Sequence, residues 1–397
     1  MTSEEEKKLD EELIALIRQE RIKVAREKIK KYFEEVIHPF FPNCELKRAT
    51  PEFIEGIFVM FGTILQFEPI NANLTNSQYY YDKDLKFIHY TTMTNCLNII
   101  REQSFRMYNL HSMDDKYELK YASENLAFSF VTEEQIKKWK ENVYTLSMCE
   151  VEVEENEKSF ELFRNYGQNG KGVGIVFSFD KTNQQTWREY YLSKIHYSKK
   201  IIDDITNAHF DFHKKDSRYC ILGDYEELLF NLCCFHKPPI YSFEQEIRLL
   251  EFDNSVKKDR NYLNFYKILT GVDSQFFTKR GETDAWEKYE QKKSPVIKSK
   301  TEIDFSKNSE PIRFKRLPIT EKFRADLLSE INCPVISNKK DLFFPNVKIE
   351  KIILGYNYSE KDIENFKEVL VELSEKYLNY EVQCELSILK KYFKNNA

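Results

Sequence analysis

Glycine is scarce in this chain, ten among 397 residues, yet three of the ten fall within Gly167–Gly172. A backbone that concentrates its glycines so strongly must turn tightly there. The spacing is not that of a phosphate-binding P-loop and no helix is expected straight afterwards, so the stretch reads as a tight connection. Long apolar runs are also missing. Residues 50–68 are the most apolar stretch, but they contain Glu52, Glu55 and two glycines, which predicts a buried helix and no membrane span. The eight cysteines form no CxxC pair, so reduced thiols in a cytoplasmic protein are expected, with Cys233-Cys234 buried in an apolar helical run. The first residues, MTSEEEKKLDEE, are acidic where a secretory signal would be basic and then apolar. A net charge of −5 makes no global case for nucleic acid or membrane as partner. There is no internal repeat, and no metal-ligand spacing is evident.

Apolar material is nonetheless plentiful. The chain is 41% hydrophobic and 15% aromatic, enough for a substantial core. Residues 4–37 hold a rough 3.6-residue apolar period and read as one long helix, packed on its own domain or paired with a second chain as a homo-oligomer or helical partner. His38-Pro39 stops it. The polar stretch Asn71–Gln78 marks a boundary between an N-terminal helical region, 1–78, and a main domain, 79–397. In the main domain, Leu85–Tyr90 alternates as a strand, Thr94 is placed to cap a short helix, and Phe105–Tyr108 is a second strand. Further strands are expected at Val143–Cys149, Val173–Phe179, Ile195–Tyr197, about Glu244–Leu250, Ile349–Leu354 and Tyr380–Leu386. Helices are expected near 116–130, 160–166, 224–236 and 360–377. Residues 255–316 are Lys-, Ser- and Asn-rich with weak periodicity and read as a basic, loop-rich insertion. Strands interspersed irregularly with helices make this an α+β protein: a mixed or antiparallel sheet core, flanking helices and an N-terminal helical extension.

Three local patterns have chemistry within reach. His89-Tyr90-Thr91 puts a histidine at a strand end, although a core-facing histidine is usually only hydrogen-bonded structure. Glu244-Gln245-Glu246-Ile247-Arg248, taken as one strand, sets Glu244, Glu246 and Arg248 on one face. As a surface ion pair that would contribute about 0–1 kcal/mol, but the neighbouring Ile247, Leu249 and Leu250 argue for burial, where charge needs a partner. The third pattern is the corner Met113-Asp114-Asp115 with Glu118, whose simplest reading is helix capping.

Taken in order, these patterns resemble a bacterial domain of unknown function, the 2971 family. Its features are matched by His89-Tyr90-Thr91, by Met113-Asp114-Asp115 with Glu118, by Ser147 and by the helix Phe163–Tyr166. They continue through Gly170-Lys171-Gly172-Val173, Lys237 with Glu244-Gln245-Glu246-Ile247-Arg248, and Ile349–Gly355. Asp114 stands where Asn is usual in that family and Phe163 where Trp is usual. The resemblance covers about residues 85–385, interrupted by the basic insertion.

That family in turn is distantly similar to the ADP-ribosyltransferases, which implies an ADP-ribosyltransferase-like fold and NAD as substrate, without a metal. The resemblance implies that His89, beside Tyr90 and Thr91, holds the nicotinamide ribose. Glu246 then stabilises the positive charge that develops as the nicotinamide bond breaks. Glu244 is the backup carboxylate, orienting an acceptor. Tyr90 or Tyr166 offers a stacking face, Ser147 lies on the intervening strand, and Arg106 or Arg248 pairs with pyrophosphate or with Glu246. The expected function is transfer of ADP-ribose to an unknown protein or nucleic-acid acceptor, as an effector of a toxin or phage-defence system. Two alternatives stand beside it. One is a catalytically silent sensor or adaptor that binds a nucleotide in the same cleft; the other is a nucleic-acid-binding protein whose 255–316 insertion touches phosphate. The transferase reading requires His89 and Glu246 to open onto one pocket from neighbouring strands.

Overall fold

The computed structural model describes residues 27–44, 48–53, 59–64, 74–112, 119–123, 133–152, 159–180, 187, 190–215, 219–223, 229, 231–252, 301–304, 311–330 and 345–393, with isolated positions at 12, 16, 20, 23 and 24. The strands are β1 (Arg48–Phe53), β2 (Val59–Ile64), β3 (Lys86–Thr91), β4 (Ser104–Asn109), β5 (Val143–Glu150), β6 (Val173–Phe179) and β7 (Tyr190–Lys194). They continue as β8 (Tyr219–Gly223), β9 (Glu246–Phe252), β10 (Glu302–Asp304), β11 (Ile312–Pro318), β12 (Val347–Leu354) and β13 (Gln383–Leu386). The helices are α1 (Met93–Glu102), α2 (Lys120–Ser123), α3 (Glu133–Glu141), α4 (Ser159–Asn165), α5 (Lys200–Lys215), α6 (Glu321–Glu330) and α7 (Glu360–Leu378). Among the described residues no helix is long and apolar enough to cross a membrane.

Ten strands form one mixed, mostly antiparallel sheet in the order β10-β11-β4-β5-β3-β6-β12-β13, with β9 on β5 and β7 on β9. The protein is therefore α+β. Inside that sheet lies a fork. One edge of β5 carries β9 along Val143–Cys149. The other edge is shared: β4 holds Tyr144 and Thr145, and β3 holds Cys149 and Glu150. Helix α1 connects the two prongs. It starts at Thr92, whose hydroxyl accepts from Asn95 N, two residues before the expected Thr94 cap, and ends at Gln103 in the left-handed conformation.

Cross-strand partners share a face of a sheet, so the register sorts the core. Phe87, His89, Met148, Ile175, Ile247 and Leu249 point to one face, where α1 and α7 cover the largest apolar cluster. Ile88, Tyr90, Cys149 and Val176 point to the other, under α4 and the 3-10 turn Ile388–Tyr392. Further along that second face, Val143, Tyr191, Leu250 and Phe252 pack against α5, the 229–235 segment and residues 29–44. This last cluster draws on both sides of residue 78, so the N-terminal segment packs directly onto the main sheet.

The Gly167–Gly172 turn is indeed a connection. A Cβ on Gly172 would overlap the Thr91 carbonyl, and one on Gly170, whose φ is +81°, would strike the Tyr356 ring. Gly355 N donates to Gly172 O and Asn357 N to Gly170 O, each at 3.0 Å. The glycine turn and the glycine after β12 are thus two sides of one close backbone contact.

Four expectations are corrected. Residues 50–68 do not form a buried helix: β1 and β2 are an antiparallel pair here, and β2 continues in parallel with β8. The run's Val, Ile, Thr and Phe suit a pleated surface, and the distant β8 adds a third strand to the local pair. The strand expected at Ile195–Tyr197 is β7, five residues earlier, with His196 left in an isolated bridge to His236. Glu244 is not on a strand but in the 3-10 turn Pro239–Glu244, and left-handed Gln245 (φ 45°) separates it from β9. The basic insertion ends early, because β10 and β11 fall inside 255–316 and β11 pairs with β4 in the main sheet. There Lys315 is buried against Glu251 at 2.9 Å, while Arg316 grips Glu302 through two nitrogens at 2.6 and 3.0 Å. The stretch 253–300, and the parts of the expected 4–37, 116–130 and 224–236 helices not given above, lie outside the described residues.

Deleting Lys257–Lys307 removes β10 with Glu302 and Asp304, partners of Arg316 and Arg106. Because these pairs are partly exposed, the expected loss is about 1–2 kcal/mol in urea unfolding. A deletion that ends at residue 299 spares β10 and should leave stability unchanged. Equal stability of the two deletions would show that β10 contributes nothing.

Candidate functional site

The most concentrated chemistry lies on the second face of the sheet, where its two apolar clusters part. Chain geometry brings it there in three steps. Lys237 N donates to His196 O at 3.1 Å, which fixes Lys237 beside β7. Pro238 and Pro239 then start the 3-10 turn, and left-handed Gln245 ends it. Glu246 opens β9 with its carbonyl accepting from Ile195 N at 2.9 Å and its own N–H donating to the Tyr197 hydroxyl at 2.9 Å.

Five side chains interlock. The Glu246 carboxylate accepts from Arg248 Nε at 2.9 Å and Nη2 at 3.1 Å, and Lys237 Nζ stands 2.6 Å from its Oε2. Lys237 Nζ also donates to Glu244 Oε2 at 2.8 Å, while the Tyr166 hydroxyl at the end of α4 donates to Glu244 Oε1. Arg248 Nη1 donates to the Cys234 carbonyl at 2.7 Å. Burial by itself would raise the Glu246 carboxyl, but Arg248 and Lys237 outweigh it and hold it down to about 2. Burial, with Glu244 beside it, pushes the Tyr166 phenol up. Two carboxylates face two cations, so the formal charges cancel. Glu246, Arg248, Glu244 and Lys237 are all buried, whereas Tyr166 is 47% exposed and is the network's outlet to solvent.

His89 is elsewhere. Its ring lies on the opposite face of the sheet, edge-on to Phe105 at 6.0 Å, and β5 intervenes between β3 and β9. His89 and Glu246 therefore do not open onto one pocket, which overturns that expectation. The reason is the alternation itself: Ile88, not His89, registers with Cys149, and Cys149 registers with Glu246. His89 instead fills the fork. Its Nδ1 is 2.8 Å from the Ser147 carbonyl. A carbonyl only accepts, so Nδ1 carries the proton and Nε2 presents its lone pair. Among the described residues Nε2 has no hydrogen-bond partner, and His89 is partly exposed. Burial lowers its basicity, with the Ser147 carbonyl pulling the other way, so the ring is neutral near pH 7. Leu146–Met148 on β5 have no strand partner toward the fork among the described residues, and the Ser147 carbonyl there is taken by His89.

The remaining expected residues divide between structure and site. Tyr90 is core, edge-on to Phe163 at 4.9 Å, so it offers no stacking face to a ligand. The Thr91 hydroxyl accepts from Asn95 Nδ2 at 3.1 Å. Arg106 is held by Glu102 and, at 2.8 Å, by Asp304, so it staples α1 and β10 to β4 and is not available to pyrophosphate. Ser147 supplies the carbonyl that anchors His89, and its buried hydroxyl has no partner among the described residues. Arg248 is committed to Glu246. The Met113-Asp114-Asp115 corner and Glu118 lie outside the described residues. Lys237, the hub that touches both carboxylates, was not among the expected site residues; its position seven residues before Glu244 and next to two prolines is the signal that marks it.

Removing one partner of such a cluster leaves a buried charge uncompensated. Lys237→Met should cost about 3–5 kcal/mol in urea unfolding, and adding Glu244→Gln should recover part of it. Strict additivity of the two changes would contradict a shared network. Because the Glu246 carboxyl is held below its ordinary value, its stabilising contribution is complete above pH 4.5 and is lost as pH falls toward 2. Wild type should thus lose stability over that window, and Glu246→Gln should show a flatter profile there.

Residues 162–249, which run from α4 through β9 and include Tyr166, Lys237, Glu244, Glu246 and Arg248, match a family model. No curated protein and no solved structure matches the chain. The matched family is described as Protein of unknown function (DUF2971), and the match supports placing the segment that builds the charged network in that family.

Proposed function

We propose that this protein is a nucleotide-binding sensor or adaptor that does not use Glu246 to cleave its ligand. The observation that carries the reading is the placement of His89 and Glu246 on opposite faces of the sheet, with Glu246 sealed between Arg248 and Lys237. A carboxylate that stabilises an oxocarbenium-like centre must present uncompensated negative charge to it. Glu246 presents none. The fork, by contrast, has what binding a nucleoside needs. A neutral imidazole with a fixed tautomer offers Nε2 to a hydroxyl. His89 would accept from a ribose hydroxyl there, and the Tyr166–Arg248 network holds β9, and through it β5, in place behind the fork. NAD fits this reading as a ligand, with no step routed through its nicotinamide bond.

Purified protein titrated with NAD, ATP and adenosine in a calorimeter tests the proposal directly. At least one nucleotide should bind, and His89→Ala should weaken it tenfold or more, in line with loss of a buried hydrogen bond of about 1.4 kcal/mol. Nicotinamide release from NAD, assayed with cell lysate as acceptor source, should stay at background in wild type and in Glu246→Gln alike. Release that depends on Glu246 would restore the ADP-ribosyltransferase reading and overturn this one.

A further inference from the structure

Four of the seven histidines form two ring-to-ring pairs, one edge-on and one tilted, and a tyrosine hydroxyl, from Tyr32 or Tyr79, meets each pair. In the first pair, His209 and His213 sit one turn apart on α5 with ring centroids 4.4 Å apart. The Tyr32 hydroxyl is 2.8 Å from His209 Nδ1, and its ring stands edge-on to Phe212 at 5.2 Å. In the second pair, the rings of His196 and His236 are 5.3 Å apart, and Tyr79 lies edge-on to His196 at 5.0 Å. The Tyr79 hydroxyl is 2.9 Å from His236 Nε2, and His236 Nδ1 is 2.9 Å from the Ser198 carbonyl. That carbonyl can only accept, so Nδ1 holds the proton and Nε2 accepts from Tyr79. Among the described residues, the buried His196 Nε2 has no hydrogen-bond partner. Phe41 stacks on Tyr79 at 6.3 Å and joins the two contacts into one.

We propose that these pairs are acid-sensitive latches that hold residues 29–44 and 74–81 against the rest of the chain. A proton on His236 Nε2 would occupy the place of the hydrogen that Tyr79 donates. A proton on His209 or His236 would also place charge against a second imidazole in an apolar cluster that includes Ile37, Ile202 and Leu232. Charged groups at the α5 interface include the exposed Glu35–Lys215 pair at 3.8 Å and the exposed Asp211–Lys214 pair at 3.2 Å. Beside the other pair, the charged groups are cations: Lys237 follows His236 in the chain and is committed to Glu244 and Glu246, and Lys194 disfavours a proton on His196. Burial first, and the neighbouring imidazole second, hold His209 and His236 at about 3. Burial holds His196 at about 4.

The sign follows from these directions. Released histidines regain an ordinary value near 6.5, so the open form binds more protons below that pH, and closure weakens as pH falls from 6.5 toward 4. At pH 5 each released histidine favours opening by about thirty-fold.

Hydrogen exchange read by mass spectrometry from pH 7.5 to 4.5, corrected for intrinsic rates, tests the latches in the full chain. Amides of 29–44 and 74–81 should lose protection by thirty-fold or more, while β6 and β12 keep theirs. His209→Asn with His236→Gln keeps a hydrogen-bonding group for each tyrosine without a titrating ring, and this double variant should flatten the dependence. An unchanged profile in that variant, or a loss spread evenly over β6 and β12, would overturn the proposal. Should the variant fail to fold, proton NMR titration of the wild-type rings decides. His209 and His236 should stay neutral in the closed form below pH 5, and a midpoint near 6.5 in the closed form would refute the latches.

Discussion

The constraint on which the rest of this structure depends is the burial of two carboxylates and two cations at one point. Removing four charges from water is costly, and the cost is offset only if every one finds its partner at good geometry. That requirement explains features that otherwise look arbitrary. Lys237 must be tied to β7, the 3-10 turn must end in left-handed Gln245, and Tyr166 must sit at the end of α4 to supply the last donor to Glu244. Three separate chain segments are thereby fixed to one another at the seam between two apolar clusters, where packing alone specifies little. The network's worth is therefore in orientation more than in net stability.

Orientation at the seam matters because β5 has a divided edge. Most strands gain rigidity from full neighbours on both sides; β5 has a full neighbour only in β9, with β4 and β3 each holding one end of its other edge. A strand held so unevenly would be free to bend at Leu146–Met148. Glu246 and Arg248 on β9 stiffen it from behind, and the imidazole of His89 ties the Ser147 carbonyl across the gap. The two residues expected to act together on a ligand instead brace the same strand from its two faces. One of them, His89, has no hydrogen-bond partner for its second ring nitrogen among the described residues.

Much of the local structure was legible before the fold was seen, and the failures share a cause. Alternation placed β3, β5, β6 and β12 to within a residue or two, and the 3.6-residue period placed α4 and α7. These elements are specified by their own residues. The pair β1 and β2 was missed because an apolar run with glycines inside it suits a helix or a strand equally, and the third strand that completes their sheet, β8, is far away in sequence. β11 was lost in a basic stretch because Lys315 and Arg316 look solvated until Glu251 and Glu302 are placed beside them. At the site, Glu244, Glu246 and Arg248 were expected close together, but Lys237 was missed and the parity of His89 was misread. Glu244 and Glu246 do meet, though through Lys237 and a turn, and His89 sits one residue out of phase with the face that bears them. A single left-handed glutamine and a one-residue register choice are invisible to periodicity.

The two buried polar systems respond to acid in a definite order. Histidines held at about 3 to 4 withdraw their support as pH falls below 6.5, whereas Glu246, held at about 2, withdraws its own only below 4.5. Both slopes have the same sign, because in each case the unfolded chain binds more protons. The windows differ because one system must stay neutral and the other must stay ionised. Acid therefore reaches the contacts of Tyr32 and Tyr79 while Lys237 and Arg248 still clamp Glu246. The N-terminal segments lie on the labile system and the fork on the resistant one, so the sheet around His89 outlasts the contacts that residues 29–44 and 74–81 provide.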